Sequence, residues 1–89
     1  MPNLPPEIMT LMRAVIEAHH ICWRAPEIEE ESSLEDIGFD HLDKMSLACR
    51  LDEHFDIYLP DEAIAGWERV ADVIASVRGM ISDREARAA

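Results

Sequence analysis

The sequence predicts an all-α fold, a bundle of three long helices and one short one. Three observations lead there. Apolar residues recur at spacings of three and four in separate stretches, and no stretch alternates in the way a strand would. Proline or aspartate stands where several of these stretches begin.

The first helix opens at Pro5 and Pro6, since proline suits a helix's first turn. Ile8, Leu11, Met12, Val15 and Ile16 then mark one apolar face running to about His19. Residues 20–40 show no sustained period and contain Pro26, the acidic run Glu27 to Glu31 and the pair Ser32-Ser33. A connection this long is expected to be a functional loop or to contain short internal turns. Ile21, Trp23, Ile28, Leu34 and Ile37 are expected to pin it to the core, and Gly38 to close it with a tight turn.

Asp40 is the expected N-cap of the second helix, with Asp43 adding a second carboxylate at the positive helix end. The helix should run from His41 to about His54 and bury Leu47, Ala48, Leu51 and Phe55. Leu42, Met45 and Cys49 form a further, partly apolar line that is free to meet a partner. Pro60, Asp61 and Glu62 open a brief third helix to about Gly66. Val70, Val73, Ile74, Val77 and Ile81 then stripe the last one. Arg78 and Arg84 fall near its C-terminal end and suit its dipole. One domain over residues 1–81 is expected, with residues 82–89 as a frayed tail that has nothing to bury.

Eighty-nine residues with 48% apolar content can build one modest core. Nineteen acidic residues against eight basic ones give a formal charge of −11, which disfavours nucleic acid and anionic membranes. The same charge favours a protein partner with a basic patch, although solubility alone also explains it. Cys22 and Cys49 form no disulfide framework and have no zinc spacing, so reduced thiols are expected. The N-terminus has no basic region followed by a long apolar run, so neither a signal peptide nor a membrane span is expected. A cytoplasmic monomer is the corresponding expectation.

The segment from Gly38 to Glu62 resembles the signature region of acyl carrier proteins. The matching residues are Gly38, Asp40, Leu42 and Asp43, then Asp52-Glu53, Phe55-Asp56-Ile57 and Leu59-Pro60-Asp61-Glu62, all without a gap. Leu34 to Gly38 upstream and Arg69 to Val73 downstream are similar to the family's loop end and last-helix start. The resemblance implies an acyl carrier protein-like four-helix bundle that meets acyl-chain enzymes of fatty acid or polyketide type. It implies a docking face made of Leu42, Asp43, Met45, Cys49, Asp52 and Glu53, with Asp61 and Glu62 nearby.

The family bears 4'-phosphopantetheine on a serine, and His41 stands at that position here. An imidazole does not make the serine's phosphate ester, so no cofactor is expected and the chain reads as a non-carrying or regulatory homologue. Ser46 lies more than a turn further on and on a different side of the helix. Two other readings remain open: a working carrier whose attachment site lies elsewhere or whose His41 is an altered position, and a non-covalent binder of an apolar ligand.

For His41 itself, phosphohistidine, a metal ligand or a partner contact stands against simple drift after the cofactor was lost, and drift is favoured. His19, His20 and Cys22 invite a metal reading, but neighbours on a helix point apart and no second ligand group is evident. The acidic run lacks the spacing and the glycine of a calcium loop. Trp23 and Trp67 read as core residues. Nothing resembles a nucleophile, base and oxyanion set, so no enzyme activity is expected.

Overall fold

The computed structural model describes residues 4–19 and 28–88. Among these residues four helices follow one another: α1 (Leu4–His19), α2 (His41–Phe55), α3 (Asp61–Ala65) and α4 (Val70–Ala88). α1 packs on α2 and α4, and α3 packs on α2.

The buried face of α1 is Leu4, Ile8, Met12, Val15 and Ile16, and that of α2 is Leu47, Ala48, Leu51 and Phe55, with Asp43. α4 contributes Val70, Val73, Ile74, Val77 and Ile81. These are the apolar stripes expected of the three long helices, with Leu11 only half-buried at the edge of the first. Each stripe is too narrow to be stable alone, and the three faces close one core. Trp67 lies within it at 2% exposure, with its Nε1 donating to Ser76 Oγ at 2.9 Å. The buried indole nitrogen therefore keeps a partner.

The described part of the connection before α2 is built into the core. Ile28, Leu34, Ile37 and Phe39 are buried, while Ile21 and Trp23 lie outside the described residues. The N-terminus of α4 also holds this connection in place. Val70 N donates to Ser32 O at 3.1 Å and Ala71 N to Glu30 O at 2.8 Å, while Leu34 N donates to Glu68 O at 2.9 Å. Two of α4's first amides, which no helical carbonyl serves, are thus satisfied by the loop. An isolated antiparallel bridge pairs Ser33 with Arg69, and no strand forms among the described residues. Asp72 completes this end by accepting from Glu68 N and Arg69 N, both at 3.0 Å, and these bonds hold its carboxyl below the usual range. Gly38 closes the loop at φ 88°, where a side chain would be strained.

Two expectations change. α4 does not stop at Ile81. It continues as helix through Ala88, although residues 82–87 are exposed. Arg84 gives the extension a hold, donating from Nη1 to Phe55 O at 2.6 Å and Asp56 O at 2.8 Å. Arg78 accordingly lies within the helix, and Arg84 serves the end of α2 instead of α4's own dipole.

Leu51 is fully buried at the centre of the bundle. Leu51→Ala should destabilise the protein by about 2–5 kcal/mol, a large share of a small domain's total of about 5–15 kcal/mol. Urea denaturation followed by circular dichroism measures this loss directly.

Candidate functional site: the N-terminus and outer face of α2

α2 begins with a reciprocal cap. Asp40 has extended backbone (φ −95°, ψ −172°), and its Oδ1 accepts from Asp43 N at 2.9 Å. Asp43 Oδ2 accepts in return from Asp40 N at 3.1 Å. Two amides at the helix start are satisfied by two side chains three residues apart, and both carboxylates sit at the positive end of the dipole. Because the cap fixes the first turn, it also fixes His41, the first helical residue, on the surface.

Asp43 is 2% exposed. Its expected place on a docking face is therefore corrected, because the carboxylate is turned into the cap and withdrawn from partners. Leu42 is the reverse case, a large apolar side chain left 70% exposed. Cys49 and Glu53 are also exposed, and they follow Leu42 at i+7 and i+11. At about 100° per residue this spacing makes one line directly opposite the buried stripe.

Met45 and Asp52 are half-buried along one edge of that line. Asp52 also supports the backbone, since its Oδ1 accepts from Leu59 N at 3.0 Å. Burial raises its pKa, and the Leu59 bond only partly offsets this. Asp61 and Glu62 are exposed in the first turn of α3. The structure thus brings Leu42, Cys49 and Glu53 together on one face, places Met45 and Asp52 at its edge, leaves Asp61 and Glu62 on the next helix, and removes Asp43.

A groove of about 500 Å³ lies beside His41, with Phe39, Lys44, Trp67 and Arg69 among its lining residues. Lys44 is committed there, its Nζ donating to Trp67 O at 2.8 Å and tying α2 to the segment before α4. Ser33 reaches the same groove from the loop. Sequence reasoning missed this groove because its two walls lie 23 or more positions apart. The ungapped run that includes Asp40 was a signal only for the wall next to His41. Among the described residues no group of three His, Cys, Asp or Glu is placed to hold a metal. The His19, His20 and Cys22 cluster lies outside those whose side chains are described. No helix among the described residues is long and apolar enough to cross a membrane.

A capped second helix with an exposed outer face, laid across a small helical bundle, is the architecture of a carrier domain. The family described as the phosphopantetheine attachment site matches residues 8–77, and the chain belongs to this acyl carrier protein family. The fold agrees with solved structures. The crystal structure of an acyl carrier protein from Thermotoga maritima superposes with a TM-score of 0.75 at 18% identity, covering 91% of this chain and 94% of that one. The solution structure of the acetyl actinorhodin acyl carrier protein from Streptomyces coelicolor gives 0.69 at 21% identity, covering 86% and 92%.

The group that gives the family its description is joined through a hydroxyl oxygen. His41, the first residue of α2, presents an imidazole and no hydroxyl.

If Asp43 serves the cap, Asp43→Ala should lower stability by about 1–3 kcal/mol, because the amide of Asp40 loses its acceptor. Glu53→Ala should stay within about 0.5 kcal/mol of the parent, as expected for an exposed side chain. Parallel urea titrations of the two variants distinguish a capping carboxylate from a surface one.

Proposed function

We propose that the chain is an acyl carrier protein-like docking module that has lost the prosthetic group and meets its partner through the outer face of α2. The observation that carries this reading is His41. It occupies the first helical position behind an intact Asp40–Asp43 cap, so the surroundings of the family's attachment point remain while the acceptor hydroxyl is gone. An imidazole there leaves the helix and its face unchanged and removes the ester chemistry.

The partner is a protein with a basic patch, of the kind that handles acyl chains in fatty acid or polyketide assembly. Leu42 would enter an apolar pocket on it, with Glu53, Asp61 and Glu62 facing its lysines and arginines. The formal charge of −11 would speed that encounter through long-range attraction. On this reading the chain acts as a cytoplasmic monomer and as a regulator or scaffold, without catalysing a reaction of its own.

The test is intact mass after incubation with a promiscuous phosphopantetheinyl transferase and coenzyme A. The parent protein should keep its mass and His41→Ser should gain the arm. His41→Ser with Glu53→Lys should be modified at least about tenfold more slowly, because the transferase must dock on the same face. Modification of the parent protein would overturn the non-carrying reading and turn attention to Ser33, the hydroxyl that shares the groove with His41.

A further inference from the structure

The last two turns of α4 have little to hold them by packing. Ile81 is the final core residue among those described, and residues 82–87 are exposed. At the other side of the same junction, α2 ends on Asp56 in the left-handed conformation (φ 54°), leaving the final carbonyls of the helix without helical partners. One side chain joins these two segments. Arg84 Nη1 donates to Phe55 O and to Asp56 O, at 2.6 and 2.8 Å, across 28 or 29 positions of sequence. The Asp56 carboxylate stands 3.7 Å from the same nitrogen.

We propose that Arg84 is a latch that makes the end of α4 and the α2–α3 connection open and close as one unit. A guanidinium at a helix C-terminus satisfies orphan carbonyls and meets the negative end of the dipole. Because Arg84 belongs to another helix, the cap holds α4 as well as α2. The polar ties of the connection it closes otherwise run to α2: Ile57 N donates to Asp52 O at 3.1 Å, and Leu59 N to Asp52 Oδ1 at 3.0 Å. Releasing Arg84 frees residues 82–88 from the bundle and leaves the Asp56–Leu59 stretch with one set of ties instead of two. It also opens the floor of a groove of about 370 Å³ lined by Ile57, Tyr58, Met80 and Arg84, beside which Tyr58 stands 71% exposed. A ligand or partner that draws Arg84 away would therefore loosen the end of α2 that carries Asp52 and Glu53.

Amide hydrogen exchange on the full chain reads this coupling residue by residue. Arg84→Ala should raise exchange by about tenfold both at the amides of Asp56, Ile57 and Leu59 and at those of residues 82–87. The core amides of Leu47 to Leu51 and Val73 to Val77 should stay within about twofold. Arg84→Lys should give a smaller rise at both segments, because an ammonium can supply the two N–H donors that Nη1 supplies, but from a shorter stem. Asp56→Asn, which keeps a residue that tolerates the left-handed conformation, should leave both segments protected, since the carboxylate at 3.7 Å is fully exposed. Faster exchange confined to residues 82–87 would overturn the latch, as would no change at either segment. An equal rise across core and junction would overturn it too, by showing that Arg84 only adds to global stability.

Discussion

The burial of one face of α2 is the constraint on which the rest depends. Leu47, Ala48, Leu51 and Phe55 lie at or below 8% exposure, and a helix whose inner stripe is sealed against α1 and the core has no freedom to rotate. Its opposite line is then fixed as well, and Leu42, Cys49 and Glu53 face outward because the other face is held in the core. The side chains on the outer face of α2 are chosen by the core packing behind them.

The two ends of α2 are held by different means. At the start, Asp40 and Asp43 satisfy each other's amides from within three residues, so the end is closed locally and His41 is set at the surface. At the finish, the carbonyls of Phe55 and Asp56 are met by Arg84 from α4. Lys44 adds a third tie by reaching Trp67 O. A helix bound in this way keeps its outer face in register whatever stands at its first residue. The proposed docking module depends on that register and not on an attached group.

The features legible in the sequence were those made by close neighbours. The apolar stripes, the cap at Asp40, the turn at Gly38 and the ungapped run from Gly38 to Glu62 all depend on spacings of a few residues, and the structure contains each of them. Features made by distant neighbours were not legible. A carboxylate two residues after His41 reads equally well as a surface charge or as a cap, and only the packing around Asp43 distinguishes the two. Phe39 in the core, the loop carbonyls that serve α4 and the helical continuation past Ile81 all rest on partners distant in sequence, as with Arg84 and Phe55 at 29 positions apart. Residues 82–89 look like a tail because their apolar content is low, and the tie to α2 comes from a polar side chain, Arg84.

The chain belongs to a carrier family, and the proposal that it no longer carries rests on His41. The most direct measurement is the intact mass of the protein isolated from the cells that make it. The predicted result is the mass of the bare chain in every preparation. A species heavier by one phosphopantetheine, mapped to any residue, would contradict this and restore the chain to the working carriers.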